Sequence, residues 1–301
     1  MDLRPDKPIF KNRITEILGT TYPMLQGPMR FVTMGEVAAT VSRSGGYGQI
    51  AASGISAIRL REEINKARDL TSLPFGVNIA LHRSNAFEAL EIAIEMGIQT
   101  ITTSGGSPLK VMDRIKKAGI KVLHKVSTLE MALKAEAAGV DGVIATGYEA
   151  GGHLGRTDAT TFCLVPQLVD YLKIPVVAAG GVADYRGFLA ALVLGAEGVE
   201  VGTRFLATRE CPVPVSVKQL VINARSESTV VINKDKTMPM RVLMAAGGED
   251  REKEQAVYSC GQSAGLCMEI EGSGEIFPSM MEEAGLLSMK INKYFSREEE
   301  R

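Results

Sequence analysis

Among 301 residues there are only three histidines and four cysteines. The cysteines (Cys163, Cys211, Cys260 and Cys267) show neither CxxC nor Cys/His spacing. A disulfide framework and a metal site are therefore not expected, and the thiols read as packing residues. No run approaches the ~18 apolar residues of a membrane span, and the opening MDLRPDKPIF has no apolar signal core, so no membrane association and a cytoplasmic location are expected. The net charge is −1 with Lys and Arg scattered, so the concentrated basic field that nucleic acid or a membrane surface would call for is missing. HExxH, a serine nucleophile elbow and a P-loop are absent, and no GxGxxG follows a strand.

What is present is a repeat. Hydrophobic residues make up 45% and charged residues 23%, ordinary for a globular chain. Apolar runs recur about every 25 residues: YPMLQ, GYGQIAA, PFGVNIAL, IQTITTS, IKVLHK, VDGVIA, IPVVAAG and AEGVEVG. Between most of them lie helical patterns such as SNAFEALEIAIEMG and STLEMALKAEAAG, closed by a glycine of the kind that caps helices. Continuous apolar strands are buried on both faces, and the even period favours closure of the sheet. The expected fold is α/β, a TIM (β/α)8 barrel with a small helical insertion after the eighth strand. Three regions follow: a barrel over 1–211, a cap over 212–259, and a return segment with a closing helix over 260–301. The terminal SREEER reads as a solvated tail.

In such a barrel chemistry sits at the C-terminal ends of the strands. Those ends carry Gln26-Gly27-Pro28-Met29, Asn78, Lys125, Gly180-Gly181 and Gly202-Thr203, with Glu149 the main carboxylate and no acidic partner for it. A glycosidase pair is therefore not expected. The glycine corners after strands seven and eight allow backbone N–H groups to approach a phosphate, from a sugar phosphate or from flavin mononucleotide (FMN). Asn78 offers an amide for the pyrimidine edge of a flavin ring, Lys125 a cation for its N1–C2=O edge, and Gln26 to Met29 amides for another side. His153, in GYEAGGHLGRTD, follows a strand end on a flexible glycine pair and is the candidate catalytic group. His82 and His124 read as packing residues.

YPMLQGPM, FGVN, GYEAGGHLG, IPVVAAGGVAD and VGTRFLATRECP resemble the nitronate monooxygenase family, formerly called 2-nitropropane dioxygenases, over roughly residues 10 to 210. The same motifs are similar to FMN-dependent enoyl-acyl carrier protein reductases and to flavin NADH:quinone reductases. IKVLHKVSTLEMALKAEAAGVDGV is particularly like the quinone-reductase branch, although that branch replaces EAGGH by a cysteine-containing variant. Beyond Pro212 only GQSAGL is reminiscent of the family. The resemblance implies a TIM barrel, non-covalent FMN, His153 beside the flavin, and Gly180, Gly181, Gly202 and Thr203 at its phosphate.

The expected activity is oxidation of alkyl nitronates with O2 to a carbonyl compound and nitrite. The alternative is reduction of an enoyl thioester, carried by acyl carrier protein, or of a quinone, with NADH or NADPH as co-substrate and Tyr148 or His153 relaying a proton. A third class is a flavin-free barrel acting on a phosphorylated metabolite. A homodimer is the common outcome for such enzymes.

Overall fold

The computed structural model describes residues 10–234, 238–244 and 257–295. Eight parallel strands make the barrel: β1 (Met24–Gln26), β2 (Gly48–Ala51), β3 (Phe75–Ala80), β4 (Thr100–Ser104), β5 (Lys121–Val126), β6 (Gly142–Thr146), β8 (Val176–Ala179) and β9 (Gly198–Val201). The short β7 (Gly152–His153) lies outside that ring. Sheet order is β1-β9-β8-β6-β5-β4-β3-β2, and a parallel bridge from Leu25 to Tyr47 joins the two ends, so the sheet closes. All eight expected strand segments are barrel strands.

Helices α2 (Gly35–Arg43), α3 (Ala57–Leu70), α4 (Ala86–Glu95), α5 (Leu109–Lys117), α6 (Leu129–Ala138), α7 (Thr161–Tyr171) and α8 (Tyr185–Val193) surround the ring. The predicted glycine stops are real: Gly97, Gly119, Gly139 and Gly195 all take positive φ where α4, α5, α6 and α8 give way to the next strand. α1 (Arg13–Leu18), opened by an Asn12–Thr15 capping box, plugs the bottom of the barrel. Its Ile14 and Leu18 pack with Leu25, Tyr47, Leu123, Ile144 and Val177 in an apolar inner layer. The Tyr47 hydroxyl donates to the Thr100 carbonyl at 2.7 Å, satisfying the one polar atom of a fully buried ring. Side chains inside the upper end are polar instead, which sets the site's position.

After β9 a four-residue turn of helix, α9 (Thr203–Leu206), leads to α10 (Val215–Ile222). The helical expectation for the insertion holds for α10 and fails beyond it. β10 (Thr229–Ile232), β11 (Met240–Met244) and β12 (Val257–Ser259) form an antiparallel sheet in the order β10-β11-β12, and β7 also pairs with β11. The β-branched run TVVI and the short run MRVLM are strand formers too brief for a helix; they pair with each other, and MRVLM also with β12 and β7. GGEDREKEQ and the SREEER tail lie outside the described residues. The closing helix is α11 (Ser273–Phe295), packed on α8 and α2. Its Phe277 is fully buried against Gly46 and lies edge-on to Phe205 at 5.3 Å. No helix among the described residues is long and apolar enough to cross a membrane.

Candidate active site

The floor of the barrel mouth is one hydrogen-bonded polar network. Asn78 Nδ2 donates to Thr102 Oγ1 at 2.8 Å, and Thr102 Oγ1 in turn donates to the Gln49 side-chain carbonyl. Gln49 Nε2 donates to the Gln26 carbonyl at 2.8 Å and to the Glu200 carboxylate at 3.2 Å. Glu200 also takes the Lys125 ammonium in an ion pair. Gln26, Gln49, Asn78, Thr102 and Glu200 are all buried, and each polar group meets another, as burial demands.

This network alters two sequence-based assignments. Lys125 is no lone cation, because Glu200 offsets its charge. The Gln26 side chain is committed to the barrel, its Oε1 accepting from the Gln49 N–H at 3.2 Å, while Pro28 and Met29 are only half-buried at the rim. Glu200 was missed because it lies one residue before its strand ends. A single carboxylate within the apolar strand GVEV was the signal.

The second part is a corner of closely packed backbone. Gly27 N–H donates to the Val201 carbonyl at 2.7 Å, and a Cβ on Gly27 would stand 3.0 Å from Gly202 Cα. Gly202 itself faces open space, with nothing within 4 Å of a Cβ built there. Gly180 and Gly181 take φ of +100° and +78°, values an L side chain adopts only at a cost. The N–H groups of Gly181 and Val182 find no partner among the described residues. Asp184 caps the next two residues but one, accepting from Arg186 and Gly187 N–H, so the helix end behind this turn already has its own anion. Thr203 Oγ1 accepts from Gly261 N–H at 2.9 Å, which ties the corner to GQSAGL. Thr146 Oγ1, at the end of β6, is buried without a partner among the described residues. Unpaired N–H groups, a side-chain-free surface at Gly202 and an orphan hydroxyl fit a phosphorylated cofactor with further polar edges.

The third part is the loop carrying His153. Gly152 takes φ +75°, so the expected left-handed turn is present there. Gly151 has another role, since a Cβ on it would lie 2.6 Å from Cys260 C and Gly261 N, and it is small because two backbones meet. Glu149 accepts from the Thr161 N–H with both carboxylate oxygens, at 3.1 and 2.9 Å, and so caps α7. The exposed His153 ring lies 6.1 Å from the ring of His82, edge to face. Burial lowers the His153 pKa, and His82 and Arg83 lower it further. Burial and Arg83 also lower that of His82. Both shifts favour the neutral imidazole over the charged form.

His82, which read as a packing residue, is thus exposed beside the candidate catalytic group. Sequence periodicity held no sign of this, because 71 residues separate the two (153 less 82). His124 is the packing histidine expected: it is buried, hydrogen-bonded through Nδ1 to Thr103 Oγ1 at 2.8 Å, with its pKa lowered to about 4 by burial. Cys211, Cys260 and Cys267 are buried thiols, and Cys163 is exposed.

Comparison with known proteins agrees with this architecture. The family model described as nitronate monooxygenase matches residues 11–290. A probable nitronate monooxygenase of Staphylococcus saprophyticus is 35% identical over 269 residues, covering 74% of this chain and 76% of the relative. A (3aS,4S,5R,7aS)-5-hydroxy-7a-methyl-1-oxo-octahydro-1H-indene-4-carboxyl-CoA dehydrogenase of Rhodococcus jostii is 37% identical, covering 78% of this chain and 66% of the relative. Among solved structures, FabK from Thermotoga maritima superposes with a TM-score of 0.89 at 34% identity, covering 95% of this chain and 99% of that one. Nitroalkane oxidase from Streptomyces ansochromogenes superposes with a TM-score of 0.80 at 25% identity, covering 93% and 100%. The chain is an oxidoreductase and belongs to the nitronate monooxygenase family.

Proposed function

We propose that this enzyme binds FMN and oxidises alkyl nitronates with O2 to a carbonyl compound and nitrite. The observation carrying the reading is the exposed imidazole of His153 on the loop after β6, together with N–H groups of Gly181 and Val182 after β8 that have no partner among the described residues. On this reading Gly180, Gly181, Gly202 and Thr203 hold the phosphate. Asn78 and Lys125 meet the ring from the barrel floor, and Gln26 to Met29 line another edge of it. FMN, when bound, supplies the electron-accepting chemistry that no side chain here can provide.

The protein's part is to bind, orient and manage protons. A nitronate is already an anion, so His153 acts as a hydrogen-bond donor to a nitro oxygen. A neutral nitroalkane needs a base, and a lowered pKa keeps His153 unprotonated and ready to accept the proton. The Lys125–Glu200 pair keeps the floor near neutral, so ligand affinity does not rest on a free cation there.

One observation favours a second reading, reduction of an enoyl thioester, with acyl carrier protein as carrier and NADH or NADPH as electron source. The Rhodococcus relative is named for a CoA thioester substrate. A stopped-flow comparison separates the two. Mixed without O2, the flavin-loaded enzyme should change its flavin absorbance rapidly with propyl-1-nitronate and little with NADH or NADPH. Rapid bleaching by a nicotinamide, with inertness towards the nitronate, would replace the first reading with the second.

A further inference from the structure

The loop Tyr148–Leu154 is held by chain that comes after the barrel. The Glu149 carbonyl accepts from Gln262 N–H at 2.9 Å, and Leu154 N–H donates to the Pro239 carbonyl at 2.9 Å. Gly152 and His153 pair with Arg241 and Met240 of β11. At the centre lies Arg241, 4% exposed. Its Nε and Nη2 both donate to the Tyr148 carbonyl, at 3.1 and 3.0 Å, Nη1 donates to Thr229 Oγ1 at 3.2 Å, and the guanidinium stands 5.0 Å from the centre of the Tyr148 ring. Among the described residues no carboxylate lies within ion-pairing distance of it. Among the described residues this buried charge is hydrogen-bonded only to neutral acceptors and set against a ring face, with the Glu149 carboxylate acting on it from beyond ion-pairing distance, an expensive way to stabilise a fold. A forked donor locking one carbonyl is, however, an effective way to fix a loop.

We propose that Arg241 is a positioning residue: from the cap sheet it pins the Tyr148 carbonyl, and with the β7–β11 pairing it sets where His153 stands over the barrel mouth. This rests on the reading of His153 as the group that meets substrate. The cap is then part of the active site's construction. A misplacement of about 1 Å at such a group costs about 10²-fold in rate, so loss of the clamp is felt without any contact between Arg241 and substrate.

The test uses the flavin-loaded enzyme with Arg241→Ala and Arg241→Lys, read by hydrogen exchange and by kinetics with propyl-1-nitronate. In R241A the amides of 148–154 should exchange about tenfold faster or more while those of β3 to β5 keep their protection. Its kcat/KM should fall about tenfold or more, with partial recovery of both readouts on adding millimolar guanidinium. R241K, which keeps the charge and loses the fork, should fall between; if R241A does not fold, R241K alone decides by whether its exchange gain is confined to 148–154. Unchanged exchange in that loop, or a gain spread evenly over the chain, overturns the proposal. His153→Asn separates the two ideas. Full activity in H153N would remove the functional reading and leave the exchange result on the clamp standing.

Discussion

Desolvation, His82 and Arg83 all move the His153 pKa the same way, below its ordinary value of 6.5. Activity that needs the neutral ring should therefore persist at pH 7 and fall only below that value. His82→Gln removes one of the lowering influences, so the acidic limb of the kcat/KM profile should move to higher pH; an unmoved limb would mean that another group titrates. H153N should lower kcat/KM about 10²-fold or more, read as nitrite release. His124 gives a stability effect of its own. Its folded pKa of about 4 lies below its unfolded value, so between the two the unfolded chain holds a proton that the native chain refuses. The contribution is present above pH 6.5 and is lost as pH falls towards 4, amounting to about 3 kcal/mol. Urea unfolding at pH 7 and pH 4.5 should show this loss, and His124→Gln should flatten it.

At the scale of elements, two glycines on adjacent loops should respond differently to the same change. Gly181 takes φ +78°, but a Cβ there meets Glu149 at an ordinary 3.7 Å, so Gly181→Ala pays for backbone conformation alone, about 1–2 kcal/mol. Gly151 is not left-handed, yet its Cβ would collide with Cys260 and Gly261 backbone at 2.6 Å. Gly151→Ala should therefore push the loop off the cap and reduce activity more than G181A reduces stability, as paired thermal melts and nitronate assays would show. The motif GYEAGGHLG marked this loop as special in the sequence. Its partners, β11 and GQSAGL, lie about 90 to 110 residues further on, and no local pattern links them.

Over the whole molecule, the ring closes between β1 and β9 and through the Leu25–Tyr47 bridge, while α11 seals the outside. Phe277 anchors that helix with no exposed surface, packed on Gly46 and Phe205. Phe277→Ala should cost about 3–5 kcal/mol, because the rigid barrel wall behind it cannot collapse into the cavity. Calorimetry should show this as a lower melting temperature of the entire chain, since α11 shares one core with α2 and α8. A small, local effect would mean that the closing helix is an appendage.

The order of strands and helices was legible in the sequence, because alternation of buried apolar runs with amphipathic helices, stopped by glycine, is decided within a few tens of residues. The glycine corners and His153 stood out as candidates, because their residue types are unusual where they stand. Only the tertiary structure decided that Lys125 is offset by Glu200, that His82 faces His153, and that Gly151 is small for packing. It alone turned part of the insertion into a sheet that grips the histidine loop. Each of these depends on a partner far along the chain, and burial or pairing energy becomes visible only when the fold has chosen that partner.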